Sequence, residues 1–205
     1  MGIAMCAKWG RALDKVTPVT DDGAALGAAA AEFLAASGRG QLKPGLTGAE
    51  FAAIEAEFGF TFADDHRAFL AAGLPVGRRW VDWRDGNRDE LRERLAWPVE
   101  GVLFDVEQND FWYDGWGLRP AELVPALATA RALLLTAPRL VPVYSHRFLP
   151  AGHGACGHPV LSVMQTDVIC YGADLLDYLR AEFDTTGPSS TPCRSTVDFW
   201  SRLIG

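Results

Sequence analysis

Three short stretches of this chain carry side chains able to do chemistry. FDVEQNDFWYDGWG, from Phe104 to Gly117, sets Asp105, Glu107, Asp110 and Asp114 among Trp112, Tyr113 and Trp116. Two carboxylates on one face act as an acid/base pair when their surroundings split their pKa values. Asp105 and Glu107 stand two apart, which on a strand puts both on one face and Phe104 and Val106 on the other. HGACGH brings His153, Cys156 and His158 within six residues, with His146 seven upstream. Imidazole and thiolate are zinc ligands, but the spacing matches no standard zinc pattern. Ser145 precedes His146, although adjacency alone gives no nucleophile–base geometry. The chain has no G-x-S-x-G elbow, P-loop, dinucleotide fingerprint or H-E-x-x-H.

The elements that must position these residues follow from periodicity and punctuation. Asp21 and Asp22 open an alanine-rich helix that GRG at Gly38–Gly40 ends. Thr47 and Glu50 form a capping-box pattern ahead of Phe51, Ile54 and Phe58. Asp64 or Asp65 caps a short helix that stops at Gly73. Arg78 to Leu95 holds six arginines against five acids, and a charge-laced helix is predicted for Arg88 to Leu95. After Trp97-Pro98, the alternation in Gly101 to Val106 predicts a strand. A helix over Pro120–Ala137, strands at Leu140–Tyr144 and Val160–Ile169, and a helix capped by Asp174 follow. Asp184–Thr196 reads as a linker and VDFWSRLIG as a short docked helix. Helices come first and strands later, which favours α+β over a doubly wound sheet. Residues 1–40 read as an N-terminal extension with one helix, and residues 41–205 as the domain.

Composition narrows the function. The net charge is −7 over 205 residues, and lysine occurs only at Lys8, Lys15 and Lys43. Neutralising phosphates needs clustered cations, so nucleic acid is not an expected partner. No apolar run approaches the ~20 residues of a membrane span. Cys6, Cys156, Cys170 and Cys193 form no C-x-x-C pair and read as reduced thiols of a cytoplasmic protein.

The ordered series LTGAEFAAIEAEFGFTFADDHRAFLAAG, the region around Trp112, VLSVMQTDVICYG, DLLDYL and the terminal DFW resembles the SUKH superfamily over residues 46–204. That superfamily includes fungal cell-wall-synthesis regulators and bacterial toxin-immunity proteins. The stretch Arg78–Arg94 and the HGACGH loop depart from its pattern. The resemblance implies a curved, mainly antiparallel sheet with helices packed on one side. It also implies a protein-binding role without catalysis or cofactor, as an immunity-type inhibitor of a cognate toxin or a regulatory scaffold. On this reading Asp105, Glu107, Asp110 and Asp114 oppose a cationic toxin, with Trp112 or Tyr113 as anchor. The competing readings are a hydrolase or transferase using Asp105, Glu107, His146 and Asp167, and a metal-binding domain using His153, Cys156 and His158.

Overall fold

The computed structural model of the chain describes residues 20–184 and 191–204. The rest of the N-terminal extension, with Cys6, and residues 185–190 of the linker lie outside the described residues.

Helix α1 (Asp21–Ser37) starts at Thr20, whose side chain accepts from the Gly23 N–H, and ends at Gly38 in the left-handed region. Helix α2 (Gly48–Phe58) starts at the predicted capping box. Helix α3 (Asp64–Ala72) lies against α1 almost backbone to backbone. A Cβ at Gly27 would overlap the Asp65 carbonyl oxygen and come within 2.6 Å of the Ala68 Cβ. Helix α1, read from the sequence as part of an extension, packs into the body: Ala30 and Leu34 are fully buried in one core with Phe51, Phe62 and Trp83.

Strands β1 (Gln41–Lys43) and β2 (Leu74–Val76) form a small antiparallel pair. The main sheet is antiparallel in the order β3 (Leu140–Tyr144), β4 (Arg147–Pro150), β5 (Val160–Met164), β6 (Asp167–Gly172). The α+β class is thus observed. Side chains alternate across the pleat. Val141, Leu149 and Val160 join the core that includes α1, α3 and α6 (Leu175–Phe183). Phe148, Leu161 and Val163 join a second core with α4 (Arg88–Gln108), α5 (Leu123–Leu134) and Trp200. Helices α4 and α5 thus cover the second face of the sheet as well.

Four sequence expectations change. Gly101 to Val106 is not a strand: it is the second half of α4, which runs through Trp97-Pro98. Pro98 forfeits one backbone hydrogen bond, but Leu91, Leu95, Val102 and Val106 recur at helical spacing and are all buried. Tertiary burial outweighs the strand-like local composition. The Val160–Ile169 run is two strands, folded into a hairpin at Gln165–Thr166. The terminal segment forms a 3-10 turn at Trp200–Arg202, followed by a parallel bridge from Ile204 to Val168. Finally, Cys170 and Cys193 are not free thiols but a disulfide joining β6 to the C-terminal segment. Such bonds are rare in the cytoplasm, so the cytoplasmic reading loses the cysteine argument that carried it.

Candidate protein-binding groove

At 100° per residue, α4 presents three stripes. Leu91, Leu95, Val102 and Val106 face the core. Arg94, Pro98, Gly101 and Asp105 fall at helical spacing along one flank. Glu93, Trp97, Glu100, Phe104 and Glu107 face solvent.

The flank stripe seats the hairpin turns. A Cβ at Gly101 would lie 2.9 Å from the Gln165 Cα, so glycine here permits the close approach of the β5–β6 turn. One turn further on, Asp105 fastens that turn. Its Oδ2 accepts from the Thr166 N–H at 2.9 Å and from the Thr166 hydroxyl at 2.6 Å. Its Oδ1 accepts from the Asn109 side-chain amide at 2.6 Å.

The solvent stripe and the fastened turn enclose a groove of about 630 Å³, lined by Trp97, Phe104 and Met164 with Glu93 and Glu100 at its polar edge. Trp97, Phe104 and Met164 remain 48%, 47% and 49% exposed. Single exposed apolar residues are ordinary; here three of them line one concavity. Glu100 also pairs with Arg131 at 2.8 Å. A second cavity shares Trp97 and Met164 with the groove and is lined also by Ser145 and His146 of the β3–β4 turn.

The predicted contact residues divide. Asp105 is buried and points to the hairpin, so it is not on an acidic surface. Glu107 is exposed, and on a helix it lies about 160° from Asp105, not on the same face. Asp110 is exposed and pairs with Arg119 at 2.8 Å. Trp112 and Tyr113 are half-buried: each packs edge-on against Trp116, and the Trp112 indole N–H donates to the Gly117 carbonyl at 2.8 Å. Asp114 is exposed on the following 3-10 turn. Of the predicted set, only Glu107 belongs to the solvent stripe of α4. Sequence reasoning missed Trp97 and Phe104 as a pair, although their seven-residue spacing is a helical signal.

The acid/base reading needs Asp105, Glu107, His146 and Asp167 together. Asp105 is sequestered by Thr166 and Asn109, Glu107 faces away from it, and His146 sits in the β3–β4 turn. Asp167 is exposed at the start of β6. The four therefore point to different places.

The HGACGH loop is a clamp on the N-terminus of α3. Asp64, fully buried, accepts at Oδ1 from the Gly154 N–H and the His153 ring, both at 3.0 Å, and at Oδ2 from the Thr20 N–H at 2.8 Å. Asp65, also fully buried, accepts at Oδ2 from the Gly157 N–H and at Oδ1 from the His66 N–H, both at 2.8 Å. Neither aspartate is the predicted cap: the N-cap position is Ala63, without a side-chain cap bond. Burial pushes Asp65 above the usual carboxylate range, with hydrogen bonds from Gly157 and His66 only partly offsetting it. For Asp64, burial also works upward, but the bonds from Thr20, Gly154 and His153 together hold it below that range. His158 meets the Thr196 hydroxyl at 2.9 Å, and Cys156 lies 4.0 Å from the Thr20 hydroxyl. His153 and His158 thus have separate partners, and among the described residues no three His, Cys, Asp or Glu side chains could hold a metal ion.

No family model matches this chain, and neither a curated protein nor a solved structure matches it.

Proposed function

We propose that this protein is a protein-binding module whose contact surface is the solvent stripe of α4 together with the β5–β6 turn. The observation that carries this reading is the exposure of Trp97, Phe104 and Met164 around one groove with acids at its edge. The groove takes an apolar segment of a basic partner protein. Aromatic anchors supply the affinity of such contacts. The acidic side chains Glu93, Glu100 and Glu107, on a chain of net charge −7, hasten association with a cationic surface.

The resemblance to the SUKH superfamily supports the same class of role. In that form the partner is a cognate toxin, neutralised by being covered; a regulatory scaffold is the other form of the same contact. The solvent stripe of α4 with its groove replaces the acidic tract Asp105–Asp114 as the proposed interface, with Glu107, on that stripe, common to both.

The test begins with capture from the native source by the full chain, followed by purification of the captured protein. Trp97→Ala combined with Phe104→Ala is expected to weaken the purified pair by about 30-fold or more, since truncating even one anchor residue costs roughly 2 kcal/mol or more. Glu93→Lys with Glu100→Lys is expected to slow association and weaken its salt dependence. For the immunity form, co-expression restores growth of cells carrying the partner. Full affinity in the double-alanine variant overturns the groove as the interface.

A further inference from the structure

The cavity beside the groove has a different lining. A cavity of about 240 Å³ is lined by Arg94, Trp97, Ser145, His146, Phe148 and Met164. Trp97, Phe148 and Met164 make three apolar walls. Arg94 supplies a guanidinium, a planar group of five N–H donors. Its Nη1 is buried and has no hydrogen-bond partner. A buried donor left unpaired costs more than the bond it would make, and more still when charged. Two other partly buried arginines are paired: Arg84 binds Glu50 and the Gly45 carbonyl, and Arg67 binds Glu55. Arg94 thus lines the cavity with a guanidinium whose hydrogen-bonding capacity is not fully used.

The turn above adds polar atoms. The Ser145 hydroxyl lies 3.2 Å from His146 Nδ1. Burial, then the nearby Arg147 charge, lowers the His146 pKa below its ordinary value, so the ring is neutral at pH 7 and does not duplicate the arginine's charge. A neutral imidazole and a hydroxyl both donate to a carboxylate once one of them turns.

We propose that this cavity binds a carboxylate carried on a short apolar stem, with the carboxylate on Arg94 and the stem between Trp97, Phe148 and Met164. The planar guanidinium fork matches a carboxylate in two parallel bonds, and the apolar walls favour an aromatic or branched stem. Two sources share that chemistry: a free organic acid, and the carboxyl terminus of a peptide ending in an apolar residue. The inference does not rest on the partner-binding reading, because it requires no second protein.

The test is a calorimetric titration of the full chain with 3-phenylpropanoate and with 3-phenylpropanamide. A second pair of probes is a pentapeptide ending in phenylalanine with a free or an amidated terminus. The acids are expected to bind and the amides to bind at least about tenfold more weakly, as for loss of a charged hydrogen bond. Tighter binding of the peptide acid than of 3-phenylpropanoate assigns the site to chain termini; the reverse assigns it to free acids. Arg94→Gln is expected to abolish the acid-over-amide preference and Arg94→Lys to keep part of it, each checked for native circular dichroism. Equal binding of acid and amide, absence of binding by both acids at millimolar concentration, or an unchanged preference in folded Arg94→Gln overturns the proposal.

Discussion

Replacing Asp105 by alanine separates two accounts of one carboxylate. Were Asp105 an exposed contact residue, its loss would weaken a partner and leave the fold alone. The geometry instead makes its loss a cost to the fold. Three donors converge on it: the Thr166 N–H at 2.9 Å, the Thr166 hydroxyl at 2.6 Å and the Asn109 amide at 2.6 Å. A hydrogen bond to a charged group contributes about 1.5–3 kcal/mol, but bonds sharing one acceptor group do not add. Thr166 is half-buried and Asn109 exposed, so water recovers part of the loss. The net cost of Asp105→Ala is therefore about 2–4 kcal/mol. Asp105→Asn costs about half as much, because its amide keeps one acceptor and turns a donor toward another donor. Urea denaturation gives the total. Amide exchange gives the location: the Thr166 N–H is expected to lose protection before Val163, within β5, does. A stability change below about 0.5 kcal/mol, the range of ordinary surface substitutions, with unchanged exchange at Thr166, would refute the anchoring role.

Three further outcomes follow from other parts of the structure. His66 is buried with an unpartnered Nδ1, and burial lowers its pKa from 6.5 to about 3. Between those values the unfolded chain binds the extra proton, so stability is full above pH 6.5 and falls on acidification by up to about 1.4 kcal/mol per pH unit. The Asp65 carboxyl, raised by burial, works against that loss, so the measurement is a comparison: His66→Phe is expected to flatten the dependence of the urea midpoint between pH 6.5 and pH 5, and an unaltered slope refutes it. Gly27→Ala forces a methyl group into the Asp65 backbone and the Ala68 side chain; a loss of about 1–3 kcal/mol in thermal or urea melts is expected, and a neutral result would show that α1 and α3 can separate at little cost. The Cys170–Cys193 bond spans 23 residues, and Cys193→Ser is expected to cost about 3 kcal/mol and to speed proteolysis near Trp200; a melting midpoint indifferent to thiol reductant removes the disulfide from the account.

Much of the N-terminal half was legible because its signals are local. Thr47 and Glu50 announce α2, and Gly38 and Gly59 close α1 and α2 in the left-handed conformation. The sheet was harder for a physical reason. Its hairpins turn at Ser145-His146 and Gln165-Thr166, with Ser145 and Gln165 at positive φ. Such turns normally advertise themselves with glycine or asparagine, and neither is present. The site was misplaced by one error of period. Val102, Phe104 and Val106 alternate like a strand, yet Leu91, Leu95, Val102 and Val106 are the longer and stronger pattern, hidden by the proline between them. On the strand reading Asp105 and Glu107 share a face; on the helix they part, one into the fold and one out of it. The disulfide was invisible because residues 23 apart carry no spacing signal, and the Asp64–Asp65 clamp because its partners are loop amides about 90 residues away.

The division of α4 into stripes also bears on why the groove is there. Folding constrains the core stripe, which must be apolar, and the flank stripe, where Gly101 admits the β5–β6 turn and Asp105 holds it. It places no such demand on the solvent stripe, where Glu, Lys or Gln satisfies helix propensity without exposing hydrocarbon. Trp97 and Phe104 stand there nonetheless, each about half exposed, and Met164 from the fastened turn comes alongside. Their exposed half lowers solubility and contributes nothing to the core. The rigidity of the wall beside them points the same way: Asp105 spends a buried carboxylate on fixing a turn whose outward face is the groove. A preorganised apolar surface loses less entropy on binding than a mobile one. On the proposed binding role the exposed aromatics and the buried anchor act together, and a variant that frees the turn without touching Trp97 or Phe104 should weaken binding along with stability.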